Sequence, residues 1–418
     1  MGKWVPRTPV PHCPRGFNMV TGIRTKYILL IPDGMADRPH PDLDGKTPMQ
    51  VAKKPNMDFL AANGRVGAVQ TIPEGMDPGS DVAAMSLLGY DPKQYYTGRA
   101  PIEAASMRVP LNARDVAFRC NLVSSDGETM VDYSGGHVTT EEARELITLV
   151  NDKLGTSKQA FYPGISYRHI MVWRGGSPDV KTTPPHNITG KPIAPYLPEG
   201  DGDNTLRQLM FDSLELLDNH PINRKRRDEG HDPANMIWLW GQGFAVNLPS
   251  FFSVHGLTGS VIAAVDLVKG LGLAAGMKAP TVPGVTGYLD TNYEGKADYA
   301  LAALQENDFV LVHVEAPDEA GHNGDIDAKI EAIEAIDKKV LGRLMEGLKD
   351  VERFRILVAP DHVTPIEIRT HASDTVPFTI YSSFESGGTN LPFDERAVPE
   401  TDLRIEEGYK LINLLLRD

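Results

Sequence analysis

Phe309-Val310-Leu311-Val312-His313-Val314 runs straight into Glu315-Ala316-Pro317-Asp318, with no polar alternation before the break. The same form occurs twice more. Tyr27-Ile28-Leu29-Leu30-Ile31 meets Pro32-Asp33-Gly34, and Arg355-Ile356-Leu357-Val358-Ala359 meets Pro360-Asp361-His362. A strand with one wet face alternates, whereas a strand that is apolar almost throughout is covered on both faces, as in a parallel sheet. Helical patterns lie between these runs. The clearest covers 326–348, where Ile330, Ile333, Ile336, Val340, Leu344 and Leu348 recur at three- and four-residue spacing. Alternating strand and helix predicts an α/β layered domain with a mainly parallel sheet. Ligands of such sheets gather at the carboxyl ends of the strands, so the three Asp-bearing turns point to one site.

The middle of the chain reads differently. From about Gly98 to Ala234 the runs are shorter and more polar, as in Arg168-His169-Ile170-Met171-Val172-Trp173, and turn-rich stretches such as Thr182-Thr183-Pro184-Pro185-His186-Asn187 interrupt them. Helices are expected over 139–153, capped by Thr140, and over 204–219. This predicts a second, smaller α/β domain over 98–235, inserted into a discontinuous domain of 25–97 and 236–418. The first sheet is expected to resume at Ile237-Trp238-Leu239-Trp240. The basic run Arg224-Lys225-Arg226-Arg227, followed at once by Asp228 and Glu229, reads as a solvated loop. Residues 1–24, with Pro6, Pro9, Pro11 and Pro14, read as a loose arm or as an overlong start before Met19.

Composition removes several classes. The chain has 418 residues, with Lys plus Arg at 42 and Asp plus Glu at 56, a formal charge of −14. That balance speaks against a general nucleic-acid binder but leaves room for a local cationic pocket and a small anionic substrate. Cys13 and Cys120 are too few for a disulfide scaffold or a zinc-thiolate site. No apolar run approaches the roughly 20 residues that cross a bilayer. The expectation is a cytoplasmic enzyme with neither nucleic acid nor membrane as partner.

Metal-ligand side chains are concentrated at the predicted strand ends: Asp33, Asp318, His322, Asp361, His362 and, nine residues on, His371. Carboxylate with imidazole is a donor set suited to zinc or manganese. Six such ligands are too many for one catalytic zinc and enough for two ions, the arrangement used for displacement at phosphorus. Ser80, after the Pro78-Gly79 turn and before an apolar run, sits at a predicted helix start. Free N–H groups there favour a phosphate beside the hydroxyl. Serine is also a common N-cap, and read alone the cap is the commoner use. The neighbouring metal constellation tips the reading to a nucleophile.

In that order, Asp33, the Gly79-Ser80-Asp81 segment, Asp318 with His322, Asp361-His362 and His371 resemble the motifs of the alkaline phosphatase superfamily. Met76 to Asp81, Leu88-Gly89-Tyr90-Asp91-Pro92 and Tyr96-Thr97-Gly98-Arg99 resemble, within it, the archaeal-type cofactor-independent phosphoglycerate mutases. The resemblance implies an alkaline-phosphatase-like sheet domain with an inserted substrate domain, two divalent ions (Mn²⁺ or Zn²⁺) and transfer through a phosphoserine. One ion would be held by Asp318, His322 and His371, the other by Asp33, Ser80, Asp361 and His362. His137, Arg168 and Lys269 are the substrate-binding candidates, because a carboxylate and a phosphate need cationic partners. The chain departs from the archaeal pattern at Ala84, where the family carries His, and at His137, where it tends to have Arg. In this it resembles a bacterial branch proposed to be homoserine kinases. The expected activity is interconversion of 3- and 2-phosphoglycerate, in glycolysis and gluconeogenesis. The rivals are an ATP-dependent homoserine kinase, for which no glycine-rich phosphate loop is visible, and a phosphatase of the same superfamily.

Overall fold

The computed structural model describes residues 24–417. The arm expected over 1–24 therefore lies outside the described residues, save Arg24, whose guanidinium is 3.5 Å from Asp308. The chain enters with β1 (Lys26–Pro32) and β2 (Arg65–Val69). It crosses to a second sheet for β3 (Asp115–Ser125), β4 (Met130–Asp132), β5 (Gln159–Ile165), β6 (Arg168–Arg174) and β7 (Met236–Phe244). It returns for β8 (Gly259–Ile262), β9 (Phe309–Val314), β10 (Phe354–Val358), β11 (Val376–Ser382) and β12 (Arg404–Ile405). The helices that matter for the site are α1 (Ser80–Leu87), α2 (Arg99–Ser106), α3 (Thr140–Leu154), α4 (Asp203–Leu217), α5 (Pro221–Asp228), α6 (Asp266–Ala274), α7 (Ala316–Asn323) and α8 (Ile326–Ala335).

The first sheet has the order β8-β9-β1-β10-β11-β2-β12. Strands β8, β9, β1 and β10 run parallel, and β11 runs against both of its neighbours. Every residue of β9 and β10 is buried, which is why these runs carry no polar alternation. Strand β1 lies between them, with Pro32 opposite Val314 and Leu30 opposite Val358. The carboxyl ends of three strands, distant in sequence, are thereby brought side by side.

The second sheet is antiparallel and holds its own core, including Phe118, Leu146, Ile147, Leu206, Met210 and Trp238. The expectation that the first sheet resumes at Ile237–Trp240 is corrected here. Strand β7 pairs with β3 from Val116 opposite Phe244 to Val123 opposite Met236, so the return crossing falls after Phe244. Its apolar run reads alike in either sheet, and only the pairing partner distinguishes them. Helices α2 and α6 meet closely between the two sheets, where a Cβ on Gly270 would collide with the Ile102 carbonyl.

Local chemistry explains three smaller differences. Thr139, not Thr140, caps α3, in a reciprocal capping box with Glu142; the Thr140 hydroxyl instead accepts from Ser166 N at 3.1 Å. The helix expected over 326–348 passes through a wider π turn at Ile336–Leu341. There Asp337 accepts from Met57 N at 2.7 Å and Asn56 N at 3.2 Å, free donors at the start of helix Pro55–Asn63. The basic run is helical, in α5, rather than a loop. Arg226 turns inward to the Gly135, Gly136 and Asp232 carbonyls and to Glu142, while its neighbours stay exposed. Among the described residues no helix is long and apolar enough to cross a membrane.

A buried ion pair braces two site-bearing turns. Lys329 Nζ of α8, wholly buried, donates to Asp37 at 2.6 Å and to the Thr364 carbonyl at 2.8 Å, and Asp37 accepts from Ile366 N at 3.3 Å. Removing one partner strands a buried charge, which is far costlier than losing a surface pair. Lys329→Met is expected to lower stability by about 3–5 kcal/mol, read as the shift of the urea unfolding midpoint. A midpoint unchanged from wild type would show that the pair does not brace these turns.

Candidate active site

The three Asp-bearing turns meet as expected. Asp33 follows β1, Asp361 and His362 follow β10, and Asp318 and His322 lie one helical turn apart on α7 beyond β9. The turns are tied to one another through backbone. Asp33 N donates to the Val314 carbonyl at 2.9 Å and Gly34 N to Asp361 Oδ1 at 3.0 Å. Gly34 has φ +59°, and a Cβ there would stand 2.5 Å from Asp318 Oδ1, so both conformation and space demand glycine.

Ser80 is the first residue of α1, with Gly79 in the cap position, so it is not the N-cap that sequence alone favoured. Its hydroxyl faces the turns instead. Ser80 Oγ lies 3.3 Å from Asp33 Oδ2 and 3.2 Å from His362 Nε2. His362 Nε2 is in turn 3.4 Å from both Asp33 Oδ1 and Asp361 Oδ2.

Two of the imidazoles are held by backbone carbonyls. His322 Nδ1 is 3.0 Å from the Arg369 carbonyl and His371 Nδ1 is 3.3 Å from the Pro78 carbonyl. A carbonyl only accepts, so both Nδ1 atoms carry hydrogen, and in the neutral rings both Nε2 atoms are left with lone pairs. Those Nε2 atoms stand 3.0 Å apart, with Asp318 Oδ2 3.2 Å from His322 and Oδ1 3.5 Å from His371. Converging lone pairs and carboxylate oxygens require a cation between them. Burial alone would lower His322, but the hydrogen bond and charge of Asp318, with the Arg369 carbonyl and Glu319, together push it up to about 9. The donor set fits a divalent ion as well as a proton, and imidazoles tied off at Nδ1 are the usual form of metal-ligating histidine.

Two groups of donor atoms converge within 4.8 Å: Asp318, His362 and His371, and Asp33, His313 and Asp361. His313 is a candidate that the sequence reading passed over. It is wholly buried in β9, its Nε2 lies 3.1 Å from Asp33 Oδ2 without hydrogen-bond alignment, and both ring nitrogens lack partners. Asp361 Oδ2 also lacks one. The signal available was a lone imidazole in an otherwise apolar strand. The two groups also divide the donors differently from the expected sets, since His362 falls with Asp318 and His371 as well as beside Asp33.

Around these ligands the charges are crowded. Burial, then Asp361 and Asp318, hold Asp33 well above the usual carboxylate range. Burial, then Glu319 and Asp318, push Glu315 up to about 8. Lys296, wholly buried and donating to the His313 carbonyl at 2.8 Å, is brought down to about 8 by burial, against the pull of Glu315.

Further cationic side chains come from both sheets' layers, Arg168 and Arg119 from the second and Lys269 from α6 on the first. Arg168, exposed on β6, lies over the Tyr167 ring at 5.3 Å, and its charge reaches Glu315 and Glu319. Lys269, half-buried on α6, acts on Lys296. His137 is exposed in a left-handed turn at φ +52° beside Asp132. Sequence reasoning missed Arg119 and His186. Arg119 of β3 pairs with Glu103 at 2.9 Å and stacks over Trp240 at 4.3 Å. His186, 5.5 Å from the Trp240 ring, is lowered to about 4 by burial, then by the charges of Arg119, Arg99, His322 and His371. Nothing in the composition of Pro184-Pro185-His186 distinguished it from a turn.

A mainly parallel sheet with Asp and His at three strand ends and a serine opposite them defines an alkaline-phosphatase-like α/β fold. The sequence profile described as type I phosphodiesterase / nucleotide pyrophosphatase matches residues 156–365. The profile of 2,3-bisphosphoglycerate-independent phosphoglycerate mutase matches residues 61–223. The 2,3-bisphosphoglycerate-independent phosphoglycerate mutase of Methanothrix thermoacetophila is 51% identical, over 94% of this chain and 99% of its own. A probable enzyme of the same description from Geobacter sulfurreducens is 49% identical, over 94% and 99%. Among solved structures, the cofactor-independent phosphoglycerate mutase of Thermoplasma acidophilum matches with a TM-score of 0.63 at 27% identity, over 94% of this chain and 99% of that one. A Pyrococcus horikoshii protein matches with a TM-score of 0.79 at 29% identity, over 94% and 97%. The chain belongs to the 2,3-bisphosphoglycerate-independent phosphoglycerate mutase family.

Burial and its carboxylate neighbours favour the protonated form of Asp33, so a cation entering beside it competes with a proton. Because this folded-state pKa is raised, apparent affinity for Mn²⁺ is expected to fall as pH falls. Calorimetric titration in buffers of different ionisation enthalpy is expected to report net proton release on binding. Equal heats in every buffer would contradict it.

Proposed function

We propose that this chain interconverts 3- and 2-phosphoglycerate through a phosphoserine at Ser80, in a site that takes two divalent ions. The observation that carries the reading is the position of Ser80 Oγ, within 3.3 Å of Asp33 and 3.2 Å of His362, at the edge of converging carboxylates and bare imidazole nitrogens. The family and its relatives' names support the same reading. Asp318, His322 and His371 would hold one ion, and Asp33, Ser80, Asp361 and His362 the other, with His313 beside Asp33. Mn²⁺ and Zn²⁺ are the ions that suit these donors. When bound, such ions supply positive charge to the phosphoryl oxygens and favour ionisation of the serine.

The remaining work falls to side chains. Ser80 Oγ forms a bond to phosphorus while the bond from phosphorus to the 3-oxygen breaks, leaving phosphoserine and glycerate. The 2-hydroxyl then attacks phosphorus and Ser80 Oγ departs. Protons balance, since Ser80 gives one up as the 3-oxygen takes one, and the 2-hydroxyl gives one up as Ser80 regains its own. Arg168 and Lys269 carry the charge to hold carboxylate and phosphate, Arg119 shares that role, and His186, lowered to about 4 and so uncharged at neutral pH, offers hydrogen bonds only. His137, exposed in its turn beside Asp132, is the third substrate candidate. We read the sheet of β3 to β7 as a cap that keeps water from the phosphoserine. This reading places the enzyme in glycolysis and gluconeogenesis, in the cytoplasm.

Ser80→Ala removes little volume and no cap hydrogen bond, so circular dichroism and melting temperature are expected to stay at wild-type values while transfer falls to background. Retention of a tenth of wild-type turnover, about 1.4 kcal/mol of barrier, would mean that the hydroxyl is not the carrier.

Metal-replete protein is expected to convert 3-phosphoglycerate with no nucleotide, no effect of ATP and no release of inorganic phosphate. ADP formed only with homoserine would establish the kinase instead, and stoichiometric phosphate release the phosphatase.

A further inference from the structure

His322 and His371 are fixed by backbone carbonyls, but His362 is fixed by a side chain. Its Nδ1 lies 3.1 Å from Thr364 Oγ1, and that same hydroxyl donates to Asp318 Oδ1. A threonine hydroxyl has one hydrogen. The Asp318 carboxylate, an acceptor only, takes it. The oxygen then faces His362 Nδ1 with a lone pair, which demands that Nδ1 carry the ring hydrogen and that Nε2 be bare. The opposite tautomer would set two lone pairs against each other.

Thr364 is held for this task from three directions. It is wholly buried, its N donates to the Ala36 carbonyl at 3.2 Å, and its carbonyl accepts from Lys329 Nζ at 2.8 Å. Two glycines leave the space it fills. A Cβ on Gly34 would stand 2.5 Å from Thr364 Oγ1, and one on Gly321 would stand 2.8 Å from its Cγ2.

We propose that Thr364 is a positioning residue whose single hydroxyl fixes His362 as the Nδ1–H tautomer, aims a bare Nε2 at Ser80, and orders Asp318 at the same time. One side chain thereby sets a donor for each of the two proposed ions. The affinity part of this inference rests on the two-ion reading, whereas the tautomer rests on the hydrogen bonds alone.

The test uses full-length protein labelled with ¹⁵N-histidine, the His362 signals being assigned by their loss in His362→Gln. In chelator-treated wild type, long-range ¹H–¹⁵N spectra are expected to show His362 as Nδ1–H. In Thr364→Val, which keeps the shape and removes the hydroxyl, that signature is expected to be lost or averaged. Chelator competition is expected to show Zn²⁺ affinity weakened by about 10–100-fold, with Thr364→Ser restoring both signature and affinity. Wild-type His362 found as Nε2–H overturns the proposal whatever the variants do. A Thr364→Val protein that keeps both the tautomer and the affinity overturns it equally. A tautomer that shifts while Zn²⁺ fails to bind even wild type would leave the positioning role standing and remove the two-ion reading.

Discussion

Three carboxylates, Asp33, Asp318 and Asp361, are buried together at the ends of adjacent strands, and their mutual repulsion governs the site. Water does not reach them to screen the charges, so compensation must come from cations held nearby or from neutralisation. The protein's own answer is partial. Asp318 is offset by His322 and His371, which draw it well below the usual range, whereas Asp33 is left well above it. His313, buried beside Asp33 and brought down to about 4 by burial, is a poor counter-charge by itself. The imbalance between these halves is what makes the pocket a receptor for positive charge.

Such a pocket is intrinsically destabilising, and the surrounding framework shows how it is held. Backbone donors from Gly34 and His362 share Asp361 Oδ1 at 3.0 and 2.9 Å. The Lys329–Asp37 pair, fully satisfied by neighbouring carbonyl and N–H groups, clamps the segments after Asp33 and His362 against α8. Strand pairing does the rest, because the register of β1 against β9 and β10 allows little slippage where both faces are buried. Rigid scaffolding and an unsatisfied centre are complementary properties here, since a looser frame would relax by separating the charges.

Ser80 reaches this centre from a different element, the start of α1, and Arg168 and Arg119 belong to a different sheet, whereas Lys269 lies on α6 of the first. On the proposed reading the chemistry draws on both sheets rather than on either alone. Arg119 illustrates the cost of that design. Its guanidinium is desolvated enough to be lowered to about 10, even with Glu103 beside it and Trp240 beneath. Holding such a desolvated group requires both partners, which β3, β7 and α2 bring together at that corner.

The sequence by itself determined the parallel sheet and pointed to the candidate site and most of its candidate donors. Unbroken apolar runs that stop at an acidic turn admit few other readings, because burial on both faces and a polar turn leave that pattern in the chain. The carry-over of Asp33, Ser80, Asp318, His322, Asp361, His362 and His371 rested on order and spacing, and the tertiary structure gathers all of these residues in one pocket. Only the tertiary structure decided the sheet to which β7 belongs, since its run of apolar residues is compatible with either partner. It alone revealed His313, hidden in a strand where an imbalanced polar residue is usually satisfied by its neighbours, and Arg119, His186 and Thr364, whose neighbours are far away in sequence. Local pattern records what each segment buries; it does not record which distant group it will meet, and the electrostatics of this site consist almost entirely of such meetings.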